Sequence, residues 1–171
     1  MPRISWSWEE FERHAPPCSI ALDGMVRGGP RFDEAAKRIN FDHHDGVVRD
    51  ATMSTVMQTH MAIKGDLMDL FGGKTVYLWI NDTDQDTSHA VWFLFHSSDF
   101  AGTKSVPHVN RHLSINNKLD VTGGAYPIKL DDALVRKHVW IFPIDRWEIG
   151  IKQRIGLSIN FDGSFGNINA M

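Results

Sequence analysis

The chain has 171 residues, 42% of them hydrophobic, which suits one globular domain with a single core and is too little for two full domains. Its formal net charge is −3 with the histidines neutral, which argues against an extended nucleic-acid partner and for a small or short substrate. No stretch approaches the roughly 20 uninterrupted apolar residues of a membrane-spanning helix. Residues 1–14 carry acidic side chains and lack the apolar core of a secretory signal, so the expectation is a soluble, cytoplasmic protein without membrane partners. The single cysteine, Cys18, excludes an internal disulfide and a thiolate metal cluster.

In chain order, residues 6–14 predict a short, peripheral amphipathic helix. Ser5 or Ser7 is its cap, and Glu9 and Glu10 lie in its first turn, where the helix dipole favours negative charge. Three short apolar runs follow, at 19–22, 39–41 and 76–80. The third, VYLWI, is continuous and rich in aromatic and β-branched residues, as in a parallel strand buried on both faces.

Between the second and third runs, residues 53–71 place Val56, Met57, His60, Ile63, Leu67, Leu70 and Phe71 at three- and four-residue spacing, ahead of Gly72-Gly73. This predicts one helix packed on the sheet, with its methionines as core filler and His60 on the packed or boundary face. A second apolar helix is expected at 87–96. Beyond Lys104 the pattern loosens to a helix at 106–119, a glycine-containing loop at 121–127, a helix at 130–140 and a strand in the tail. The alternation predicts an α/β fold, with a mostly parallel sheet flanked by helices in a single domain. Its core spans 18–100, and a helical and loop extension covers 104–171.

Each apolar run ends in an aspartate: Asp23 after IAL, Asp42 after INF and Asp82 after LWIN. Ligands of open α/β sheets bind at the carboxyl ends of the strands, so three carboxylates there can converge. Aspartate is also an ordinary strand-to-turn residue, and that reading weakens as the junctions multiply. Asp42 leads directly into His43 and His44, while Asp84 and Asp86 follow Asp82. Mixed carboxylate and imidazole donors suit manganese, iron or zinc better than magnesium, and a shared carboxylate allows a two-metal centre.

Of two other readings, one fails on spacing and the other is disfavoured by context. Counted from Asp82, an EF-hand loop needs glycine where Thr87 stands and glutamate where Phe93 stands. His44-Asp45 as the doublet of a helical HD phosphohydrolase would require a helix, yet it follows a strand-like run and precedes Gly46.

Phosphate also calls for cations. Arg27, in the glycine-flanked MVRGG, and Arg49, ahead of DATMST, are placed to clamp one bidentately. His108, Arg111 and His112 share the predicted helix at 106–119, where plain surface exposure competes with phosphate contact.

A short strand ending in Asp42-His43-His44, the small, hydroxyl-rich helix start ATMSTVMQ and a hydrophobic strand ending in Asp82 resemble the DHH phosphoesterase superfamily over residues 18–96. The resemblance implies an α/β domain and a divalent metal, most often manganese, that supports hydrolysis of phosphodiester or phosphoanhydride bonds. It implies metal ligation by Asp42, His43 and Asp82, and places His44 near the scissile phosphate. Combined with the strand-end argument, the expected metal set is Asp23, Asp42, His43, Asp82 and Asp84. The expected catalytic pair is His44 and Asp42, and the substrate contacts are Arg27, Arg49 and His112.

Two departures stand out. ALDGMVRGG supplies only Asp23 where the family's first motif carries two aspartates, so Asp84 or Asp86 is left to replace the second. The chain is also too short for the usual second domain, and TGGAYP at 122–127 is the candidate substitute for its glycine-rich motif. The expected function is therefore a metal-dependent phosphoesterase acting on a nucleotide or other small phosphorylated substrate. The alternatives are a non-catalytic nucleotide- or phosphate-binding module that sequesters or senses its ligand, and a structural protein whose aspartates merely end strands.

Overall fold

In the computed structural model, which describes residues 5–129, 131–136, 156–159 and 165–168, Ser7 opens helix α1 (Trp8–His14) with a capping box. The Ser7 hydroxyl accepts from the Glu10 N–H at 3.2 Å, and the Glu10 carboxylate accepts from the Ser7 N–H at 2.7 Å. Trp8 and Phe11, three residues apart on one face, are buried with Ala15, Ala21, Met25 and Val26. Helix α1 is therefore not peripheral as expected, because its apolar face covers one side of the sheet.

Strand β1 (Ser19–Leu22) is buried along its whole length. It pairs in parallel with β3 (Arg38–Phe41) on one side and β4 (Val76–Trp79) on the other, with Ala21 opposite Asn40 and Trp79. Strand β2 (Arg31–Asp33) adds an antiparallel edge to β3. Sequence periodicity missed it because Arg-Phe-Asp has no apolar run and Phe32 is half exposed. On the far side β5 (Gly156–Ile159) pairs antiparallel with β4, and β6 (Phe165–Ile168) with β5, where the tail was expected to add one strand. The order is β2-β3-β1-β4-β5-β6. The fold is α/β, a mixed sheet with three parallel central strands and helices around it.

The strand buried on both faces is β1, not VYLWI as expected. In β4 only Val76 and Leu78 are buried, while Trp79 is half covered and packs against Trp6 at 5.0 Å.

The single helix expected at 53–71 is divided. Helix α2 (Thr55–Lys64) stops at Gly65, Asp66 turns left-handed at φ +60°, and a 3₁₀ turn covers Asp69–Phe71. The apolar spacing continued past the break because Leu67 and Phe71 fill the same core as Ile20, Leu22, Val56 and Ile63. Helix α3 (Gln85–Phe95) is capped by Asp84, which accepts from the Thr87 N–H at 2.9 Å. Short α4 (Ser97–Phe100) and α5 (Pro107–Val121), with proline in its first turn, follow. Of the helix expected at 130–140, residues 133–136 are helical and residues 137–140 lie outside the described residues.

His60 is buried and packs edge-on against Phe93 at 5.2 Å. Burial and the Lys64 charge lower its pKa. Cys18 is buried in the same core. No helix among the described residues is long and apolar enough to cross a membrane.

Candidate metal centre

Because β1 and β3 are parallel neighbours, their carboxyl ends deliver Asp23 and Asp42-His43-His44 side by side. The Asp23 N–H donates to Phe41 O at 3.0 Å, and Asp23 itself takes a left-handed conformation at φ +52°, unusual for a residue other than glycine. Asp42 is fully buried. Its Oδ1 accepts from the N–H groups of Gly24 (3.1 Å), His43 (2.8 Å) and His44 (3.1 Å), and His44 Nδ1 lies 2.9 Å away. Asp42 thus ties the two strand-end loops together. Gln58 secures the same turn by donating to Asp42 O at 3.0 Å and Met53 O at 2.6 Å.

His43 is fully buried, and its Nε2 lies 2.7 Å from Asp120 Oδ2, 3.6 Å from Asp23 Oδ1 and 3.8 Å from Asp86 Oδ2. Two groups result, Asp23–His43–His44 and His43–Asp86–Asp120, each with ligand atoms within 4.8 Å of one another. Thr55 Oγ1 and Thr87 Oγ1 donate to the two Asp23 oxygens at 3.1 and 3.0 Å. Asp86 Oδ1 accepts from Asn116 Nδ2 at 2.8 Å and Val56 N at 3.3 Å.

Asp86 Oδ2, Asp120 Oδ2 and His43 Nε2 are buried without a hydrogen-bond partner. The last two face each other as an ion pair at 2.7 Å. Buried polar atoms left without a hydrogen bond are costly. An imidazole and carboxylates turned toward one point form a donor set that fits a borderline divalent ion.

The electrostatics carry the same tension. Burial opposes charge on Asp23, yet the neighbouring His43, Asp84 and His44 hold its carboxyl well below the usual range. Burial also opposes charge on His43, but Asp120 and Asp23 outweigh it and raise the imidazole to about 10. Asp84 is pushed up to about 7 by burial and by the Asp23 charge. Asp86 rises well above the usual range through burial, then through Asp120 and Asp23. Without a cation, this cluster holds itself together with protons.

The expected residues divide between centre, rim and periphery. Asp23 and His43 are central, and Asp84 hydrogen-bonds Asp23 while capping α3. His44 is raised chiefly by its bond to Asp42. It lies at an open cleft of about 210 Å³ whose lining includes Asp23, Arg27, Asp42, Asp45 and Asn81. Arg27 is exposed there.

Other expected residues lie elsewhere. Asp42 joins neither ligand group among the described residues, and neither does Asp82, whose Oδ1 accepts from Thr83 N at 2.8 Å. Asp86, at the start of α3, reaches the centre. Arg49, still partly exposed, donates from Nη2 to Asp120 O at 3.0 Å and lies 3.6 Å from Asp120 Oδ1. His112 sits two turns before Asp120, about 12 Å along α5, and meets His89 edge-on at 4.7 Å. His108 is exposed, and Arg111 pairs with Asp132. TGGAYP forms a turn in which Thr122 Oγ1 accepts from Tyr126 N at 3.0 Å.

Asp120 was the residue that sequence reasoning missed. Its signal is the four-residue spacing of His112, Asn116 and Asp120, which puts three polar side chains on one face of α5. Comparison of the chain with protein-family models, curated proteins and solved structures finds no match.

Proposed function

We propose that the protein is a metal-dependent hydrolase of a phosphodiester or phosphoanhydride bond in a nucleotide or other small phosphorylated substrate, a divergent relative of the DHH phosphoesterases acting in the cytoplasm. The observation that carries the reading is the convergence of buried ligand atoms of His43, Asp86 and Asp120 beside Asp23, with Asp86 Oδ2 making no hydrogen bond. In this reading Asp23, His43, Asp86 and Asp120 hold the ion, with manganese the best suited and iron or zinc as other options. The bound ion supplies an acidified water and offsets charge on the phosphate.

The chain's own groups do the rest. Asp42 holds His44 through Nδ1, which leaves the other ring nitrogen to donate to a phosphate oxygen or to the leaving group. Arg27 offers the cleft a guanidinium fork for non-bridging oxygens. Asp84 and the two threonines fix Asp23 in place.

The test is turnover of bis(p-nitrophenyl) phosphate and of a nucleoside polyphosphate by the manganese-loaded protein. The expected result is hydrolysis that falls by about 100-fold or more in His44→Ala while the metal held by the His43–Asp86–Asp120 group is retained. A phosphate ligand that binds and is recovered unchanged would favour sequestration instead. The absence of both binding and turnover would contradict the proposal.

A further inference from the structure

Asp86 is the ligand whose geometry most needs explaining. It comes from the first turn of α3, buried at 2% exposure, and must turn one oxygen toward His43 without help from solvent. Its Oδ1 is pinned by Asn116 Nδ2 at 2.8 Å and by Val56 N at 3.3 Å, a free N–H in the first turn of α2. Helix α2 makes no side-chain cap bond with Ser54, so Asp86 fills part of that place from across the interface. With Oδ1 occupied, Oδ2 is the oxygen presented to the centre.

Asn116 is equally buried, at 2% exposure, and its own orientation is fixed. An amide has one donor end and one acceptor end. Its Oδ1 faces His89 Nδ1 at 3.4 Å, which sets the nitrogen toward Asp86. The next residue, Asn117, accepts from Ser54 N at 2.8 Å and fastens the same turn of α5 to the start of α2. Asp120, one turn on, then meets His43.

We infer that Asn116 is a positioning residue of the metal centre. By holding Asp86 Oδ1, it aims Oδ2 at the ion, and through α5 it couples that aim to the delivery of Asp120. The inference rests on the metal reading above. Outer-shell partners of this kind alter metal affinity by about 10- to 100-fold when removed.

The experiment is calorimetric titration of manganese into wild-type protein, Asn116→Leu and the smaller Asn116→Ser, with melting curves recorded with and without manganese. The expected result is manganese affinity lowered by about 10- to 100-fold in both variants and a smaller manganese-induced rise in melting temperature. A merely structural role would lower both melting curves together and leave the affinity unchanged, which would overturn the inference. Failure of both variants to fold would assign Asn116 to the fold and also overturn it. Wild-type protein that binds no manganese would instead remove the metal reading itself.

Discussion

His43 Nε2 lies 2.7 Å from Asp120 Oδ2, so a residue at the end of β3 meets one near the end of α5. Both atoms are buried, and they face each other as an ion pair. That contact makes α5 part of the centre, although it follows the sheet's parallel strands in sequence. Arg49 and Asn117 hold the loop and helix around it.

The carboxylates that would hold an ion repel one another in its absence. Asp86→Asn removes one of them and keeps the side-chain shape. The metal-free variant is expected to gain about 1 kcal/mol, a rise of about 2–4 °C in melting temperature, and to lose the further rise that manganese gives wild type. Calorimetry with and without metal checks both changes. A destabilised metal-free variant that still responds to manganese would contradict the assignment.

The two arginines separate by role. Arg27→Ala is expected to weaken binding of inorganic phosphate by about 10-fold or more and leave manganese affinity unchanged, since Arg27 is exposed in the cleft. Arg49→Ala releases Asp120, and should weaken manganese binding by about 10-fold. Equilibrium dialysis of each variant with each ion decides the matter, and a reversed pattern would exchange the two roles.

His112 predicts an acid sensitivity. Burial and neighbouring His89 lower its pKa to about 4 from the usual 6.5. Between those values the unfolded chain binds the extra proton, so stability declines as pH falls from about 6.5 toward 4. His112→Phe retains an aromatic ring without the titration, and should lose less stability than wild type between about pH 7 and pH 5. Urea midpoints measure this, and equal losses would show that His112 adds nothing to the pH dependence. His89 and His60, also lowered by burial, keep some acid sensitivity in the variant.

Ser7→Ala breaks the capping box of α1 and should cost about 1 kcal/mol, or about 2–4 °C, with manganese affinity unaltered. Melting curves and metal titration on one preparation test it. Loss of metal binding would tie α1 to the centre.

The sheet was legible because its three parallel strands are the three apolar runs, and their aspartates mark the loops that follow. The junction aspartates do not all take the same place: Asp82 accepts from Thr83 N in its own turn, whereas Asp86 begins a helix that packs on α2 and so reaches the cluster. Strand β2 was silent for want of apolar residues. The split at Gly65 was hidden because Leu67 and Phe71 keep helical spacing across a non-helical break. Asp120 depends on a long-range contact that no local pattern encodes, and only the polar face shared with Asn116 hints at it.

His43 belongs to both ligand groups, so it tests the account most directly. Wild-type protein and His43→Gln would be dialysed against manganese, and the bound metal counted by elemental mass spectrometry. Roughly one or two equivalents in wild type, lost in a variant that remains folded, is the predicted result. No metal in wild type, or equal metal in both, would contradict the centre described here.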